Sequence, residues 1–213
     1  NSKEKTPISH IIVNVNEGTR TTFTYRKPMK MKLVNLNFKP DIILMDGQEY
    51  EMSKKLIEKY PDAIKVIDAG RCEEEIIELC SLSDYIVCSK TFAEKVSGVE
   101  IDFAKTNTLL DTYMKLKKIF EKNIVITLED KGCLFEKDGK VKILSSLKVL
   151  AQDSTGAGDI FHGAFVYGLA NNYSFEDCLK IANVAGAISC TRIGGRYSVP
   201  SKEEVLENVQ KHR

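Results

Sequence analysis

Short apolar runs alternate with amphipathic stretches through the middle of this chain, and that alternation limits its fold more than any other feature. Ile42-Ile43-Leu44, Val66-Ile67, Tyr85-Ile86-Val87 and Ile124-Val125-Ile126 are too short for helices and rich in β-branched residues. Helical patterns lie between and after them: Glu49 to Tyr60, Glu73 to Leu82, Asp102 to Phe120, Phe175 to Ser189 and Lys202 to Gln210. In the third of these, Phe103, Leu109, Leu110, Tyr113, Leu116, Ile119 and Phe120 form a broad apolar stripe that predicts a core-facing helix. Strands without polar alternation need cover on both faces, so we expect an α/β fold with a mainly parallel central sheet between helical layers. Functional residues of such a sheet collect at the carboxyl ends of its strands. At the amino end, Ile8 to Val15 and Thr21 to Arg26 flank Asn16-Glu17-Gly18-Thr19 and predict a β-hairpin.

The segment Asp153-Ser154-Thr155-Gly156-Ala157-Gly158-Asp159 carries the chemistry, because it opens directly into an apolar helical run from Ile160 to Leu169. A helix that starts on glycines leaves backbone N–H groups free to face an anion. Gly156 and Gly158 hold no side chain to keep a phosphate away, and Asp159 sets an acceptor beside the place where it would lie. Phosphoryl transfer needs donors for the developing negative charge and an acceptor for the hydroxyl proton. The plainer alternative is that Asp153 and Ser154 cap the helix and the glycines permit tight packing. No GxxxxGK[ST] loop occurs, which disfavours that route to nucleotide binding.

This segment resembles the carboxy-terminal signature of the ribokinase-like, or PfkB, family of carbohydrate kinases. The resemblance implies a ribokinase-like, Rossmann-type layered fold with a partial β lid. It makes Asp159 the catalytic base and the amides of Gly156, Ala157 and Gly158 the anion hole. Asp153 and Thr155 match residues at the site of an activating monovalent cation such as K+. The stretch from Asn183 to Pro200 supports the same family: Asn183 becomes a nucleotide-site candidate, with Arg192, Gly194 and Ser198 near the cation loop. Read without the resemblance, Ala185 to Ala187 mean only close helix packing, and Arg192 a solvated charge near a helix end.

Two further patches resemble the family and also depart from it. Thr127 and Gly132 match its nucleotide-facing strand end and turn, whereas Glu129 stands where a glycine is common. After Tyr85-Ile86-Val87-Cys88, many members carry an Asn-x-x-Glu motif that organises Mg2+. Here Ser89 takes the asparagine position, Phe92 the glutamate position, and Glu94 is displaced by two residues. Ser89 as a helix cap and Phe92 as a core residue is the competing account.

The resemblance spans most of residues 8–210 and omits the family's amino-terminal portion with its sugar-contacting glycines, so the chain reads as truncated. Residues 1–30 are expected to form a partial lid hairpin, and residues 31–213 the nucleotide-binding and catalytic portion. The implied activity of the intact protein is transfer of the γ-phosphate of ATP, with Mg2+, to a primary hydroxyl of a small carbohydrate. A nucleoside, vitamin or sugar-phosphate kinase is the related alternative, and an inactive nucleotide-binding or oligomerisation module the nonenzymatic one. A sheet edge left open by the missing portion invites a homodimer.

The 31 basic and 30 acidic side chains give a net charge of +1, which provides no nucleic-acid surface. Six cysteines occur without CxxC, a pattern expected of reduced thiols in the cytoplasm. His10, His162 and His212 show no zinc spacing, and His162 is expected to pack or to frame polar groups. Neither a secretory segment nor a twenty-residue apolar span is present in the sequence, so no membrane partner is expected.

Overall fold

The structure, a computed structural model, describes residues 6–14, 19–25 and 36–211. They fall into two compact units that divide between residues 35 and 36. The first contains the hairpin: β1 (Ile8–Asn14) runs antiparallel to β2 (Thr19–Tyr25), with Ile8 opposite Tyr25 and Asn14 opposite Thr19. Of the turn expected over Asn16-Glu17-Gly18-Thr19, the first three residues lie outside the described residues, and Thr19 instead begins β2.

The second unit holds a six-stranded sheet in sequential order. Strands β3 (Ile42–Met45), β4 (Ile64–Ala69), β5 (Tyr85–Ser89) and β6 (Asn123–Thr127) are parallel, and β7 (Cys133–Lys137) and β8 (Lys140–Leu144) continue antiparallel. Helices α1 (Tyr50–Lys59), α2 (Glu74–Leu82), α3 (Lys90–Ser97) and α4 (Thr106–Phe120) occupy the parallel crossovers, and α5 (Ala157–Ala170), α6 (Phe175–Ser189) and α7 (Lys202–Lys211) follow the sheet.

The strand sequences divide two cores between the two faces, because successive side chains point to opposite sides. Ile67, Ile86, Ile124 and Ile126 pack with Ile76 and Leu79 of α2, Phe92 of α3, and Leu109, Tyr113, Leu116 and Phe120 of α4. Val66, Val87 and Val125 pack on the other face with Phe161 and Phe165 of α5 and with Leu179 and Ala182 of α6. This is the α/β architecture, mainly parallel and covered on both sides, that the apolar runs require.

Two helical expectations need correction. The helix expected from Asp102 begins at Thr106, because the Asp102 carboxylate accepts the Ala104 N–H at 2.9 Å and the Thr108 hydroxyl accepts the Asp102 N–H at 3.0 Å, turning the chain first. Within that helix Leu109, Tyr113, Leu116 and Phe120 are buried, whereas Leu110 and Ile119 are exposed, as is Phe103 before it. The buried set recurs every three or four residues, and the exposed pair falls beside that stripe. By contrast α6 occupies the expected span, its start set by Ser174, whose hydroxyl accepts the Asp177 N–H.

Candidate active site

Helix α5 begins at the glycine segment, and its N-cap is Gly156, with φ +78° and no side-chain cap. Glycine is required there twice over. The backbone is left-handed, and a Cβ would lie 3.2 Å from Cα of Gly195. Asp153 does not cap the helix. Its Oδ1 accepts the Thr155 N–H and its Oδ2 the Gly194 N–H, both at 2.9 Å, so one carboxylate joins the 153–156 segment to the loop after α6. The Gln152 and Asp153 N–H groups both donate to the Cys190 carbonyl, at 2.7 and 3.1 Å, which fastens the same two segments again.

What this fastening leaves open is the first turn of α5. The Ala157 N–H donates to the Ser154 carbonyl at 3.2 Å, but the amides of Gly156, Gly158 and Asp159 have no acceptor among the described residues. A Cβ added at Gly158 would meet nothing within 4 Å. Gly158 and Asp159 are both exposed. A cavity of about 660 Å3 opens alongside, with Thr155, Gly156, Asp159, Gly163, Tyr167 and Arg196 among its lining residues. Three free donors, the positive end of a helix dipole and one carboxylate therefore share an accessible place.

The neighbouring candidates divide by what already engages them. In the loop after α6, Gly194 has φ +89°, and Ser198 is buried, its N–H donating to the Gly194 carbonyl and its hydroxyl to the Gly195 carbonyl, each at 3.0 Å. The Arg192 guanidinium pairs with Glu204 of α7 at 2.5 Å. Asp153, Thr155 and Ser198 bring oxygen donors to this region, the chemistry a hard monovalent cation requires, whereas a guanidinium cannot ligate one. Thr127 donates its hydroxyl to the Cys88 carbonyl at 3.2 Å, bridging β6 to β5. Gly132 has φ +99°, and a Cβ there would stand 2.0 Å from the Leu144 carbonyl oxygen. Asn183 is buried in α6 and donates to that same carbonyl at 3.2 Å, so Gly132 and Asn183 meet the end of β8 from two sides. Glu129, at the position where the resemblance leads one to expect glycine, is exposed with φ +56°.

Ser89 and Glu94 are engaged within the protein. The Ser89 hydroxyl caps α3 by accepting the Phe92 N–H at 3.1 Å and donates to the Gly70 carbonyl at 3.3 Å. Glu94 accepts the Ile101 N–H at 2.9 Å and lies 3.5 Å from Lys90. Phe92 is fully buried in the core. No group of three or more His, Cys, Asp or Glu side chains among the described residues is arranged to hold a metal ion.

The sequence reading missed Asp68. It sits at the carboxyl end of β4, where α/β sheets gather their functional groups, and that position was its one legible signal. Burial pushes its carboxyl above the usual carboxylate range; His162 pulls it back, while Asp159 and Asp46 push it further up. All six cysteines are free thiols, and burial raises Cys133 to about 12. No helix of the described residues is long and apolar enough to cross a membrane.

The chain is similar to known proteins along most of its length. The ribokinase of Haemophilus influenzae is 36% identical over 133 residues, a stretch covering 62% of this chain and 43% of that protein. Fructokinase-1 of Zea mays is 34% identical over 126 residues, covering 55% of this chain and 39% of the other. The crystal structure of a ribokinase from Thermotoga maritima superposes with a TM-score of 0.78 at 27% identity, covering 97% of this chain and 70% of that one. The matched stretches thus span less than half of these curated relatives. The model of the pfkB family of carbohydrate kinases matches residues 1–202. With a ribokinase-like sheet and that match over nearly its whole length, the chain belongs to the pfkB carbohydrate kinase family.

Proposed function

We propose that the intact protein transfers the γ-phosphoryl group of ATP to a hydroxyl of a small carbohydrate. The observation that carries this is the start of α5, where the amides of Gly156, Gly158 and Asp159, unpartnered among the described residues, lie next to a cavity lined by Gly156 and Asp159. In this reading the three amides hold the transferring phosphoryl oxygens, a role in which the Ala157 N–H is replaced by that of Asp159. The Asp159 carboxylate orients the acceptor hydroxyl and takes its proton as the new P–O bond forms and the bond from the γ-phosphorus to the ADP leaving group breaks. Asp153 acts from behind by fixing the loop that carries these donors. Mg2+, when bound, neutralises phosphate charge, and it would be held chiefly by the nucleotide itself, in keeping with the engagement of Ser89 and Glu94. Asp153, Thr155 and Ser198, with the Gly194 backbone, are the candidates for holding K+. Thr127, Gly132 and Asn183 are the candidates beside the nucleotide. The similarity to a ribokinase and a fructokinase supports a sugar as acceptor.

The test is ATP consumption by the intact protein across ribose, fructose, other sugars, nucleosides and sugar phosphates, with the product identified by mass. The expected result is ADP formation that depends on a sugar and a matching phosphate ester. Transfer to a nucleoside or sugar phosphate alone would move the acceptor class. Nucleotide binding without transfer to any of them would overturn the kinase reading.

A further inference from the structure

His162 follows Asp159 by three residues, yet its ring lies inside the protein, with only 5% of the residue exposed. Nδ1 is 2.6 Å from the Gly158 carbonyl oxygen one turn earlier in α5 and 3.4 Å from Oδ2 of Asp68 at the end of β4. Nε2 is 3.2 Å from the Val87 carbonyl oxygen in β5. Both carbonyl oxygens only accept and a neutral imidazole carries a single N–H, so we place that N–H on Nδ1, where the contact is the shorter, donating to the Gly158 carbonyl. The buried ring is thus hydrogen-bonded to the first turn of α5 and packed against Asp68 of β4 and Val87 of β5.

The partner it holds matters. The Gly158 carbonyl belongs to the same planar peptide unit as the Asp159 N–H, one of the three free donors. Gly156 and Gly158 make this stretch of backbone permissive, and a catalytic constellation must be held rigidly to work. No side chain caps the helix from its amino end, so an anchor from within the first turn supplies what a cap would elsewhere.

We infer that His162 is a positioning residue for phosphoryl transfer: through the Gly158 carbonyl it anchors the peptide bearing the Asp159 amide, and hence the base itself, to strands β4 and β5. The inference rests on the kinase reading above for its catalytic consequence, and on geometry alone for the anchoring.

Three variants of the intact protein separate these. Asn at position 162 can present an N–H near the place of Nδ1, Gln one near the place of Nε2, and Phe neither. His162→Phe and His162→Gln should lower kcat by about 10- to 100-fold, the scale of a small misplacement of reacting groups. The KM for ATP should change by less than about threefold, because the loss falls on the transition state. His162→Asn should regain most of the lost rate. A Phe variant with the parent kcat, or an Asn variant no better than Gln, would overturn the inference; where the Phe variant does not fold, the Asn and Gln pair decides. If the parent protein transfers no phosphoryl group, the kinase reading fails and 15N relaxation decides the anchoring. The Asp159 amide should then have an order parameter near ~0.85 in the parent and below ~0.6 in the Gln variant. Equal values in the two would overturn it.

Discussion

Asp153 and Gly194 stand 41 residues apart in the chain, and a 2.9 Å hydrogen bond from the Gly194 N–H to the Asp153 carboxylate joins them. The other oxygen of the same carboxylate accepts the Thr155 N–H. The 153–156 segment is therefore shaped by the loop that follows α6, and not by a cap of its own helix. Replacing Asp153 with Ala leaves two amides without their acceptor. We expect a loss of about 2 kcal/mol, a fall in Tm of roughly 4–8 °C for a chain of this size. Thermal melts by circular dichroism would check this, and an unchanged Tm would mean the junction is held by the Cys190 carbonyl alone.

The two glycines of the segment should respond in opposite ways. Gly156→Ala puts a Cβ on a left-handed backbone against Gly195 and should cost about 1–2 kcal/mol or more. Gly158 lies within the helix with open space at its Cβ position, so Ala there should stabilise the fold by up to about 1 kcal/mol. On the proposed reading, the same methyl group would crowd the phosphoryl group held by the neighbouring amides. Melts and turnover measured on both variants should show Gly158→Ala stable and impaired, and Gly156→Ala unstable.

Glu129 holds a left-handed conformation at the turn after β6, where a residue with a Cβ is disfavoured. Glu129→Gly should stabilise the protein by about 1 kcal/mol or less, since glycine's own chain entropy offsets part of the gain. On the proposed placement of the nucleotide beside Thr127 and Gly132, it should also lower the KM for ATP by removing a nearby carboxylate. Steady-state kinetics would detect the second effect independently of the first.

Asp68 gives a pH signature of definite sign. Its folded carboxyl titrates above its unfolded counterpart, chiefly through burial. The folded chain therefore keeps this proton to higher pH than the unfolded chain. The resulting stability is fully present below the ordinary value of 3.8 and is lost as pH rises through the raised one. Urea unfolding of the parent and of Asp68→Asn across the acid range should show the parent losing ground to the variant as pH rises. A difference between them that does not vary with pH would contradict this.

Much of the fold was legible because it rests on local pattern. Val66, Val87 and Val125 face one layer and Ile67, Ile86 and Ile124 the other, as strict alternation requires. The start of the helix after Ile101 was not legible, since Asp102 and Thr108 turn the chain through side-chain hydrogen bonds that periodicity does not register. At the site, the glycines and Asp159 announce themselves by being contiguous. The anchoring by Asp153 and the junction of His162 with Asp68 join segments far apart in sequence, and no local pattern encodes which segments meet.

The most direct test replaces Asp159 with Asn in the intact protein and follows phosphoryl transfer from ATP to whichever acceptor the parent protein uses. The carboxamide keeps the shape of the first turn of α5 but cannot take the hydroxyl proton, so turnover should fall by roughly 10²- to 10⁴-fold while the melting curve stays in place. Turnover equal to that of the parent, in a variant that folds as the parent does, would contradict the account.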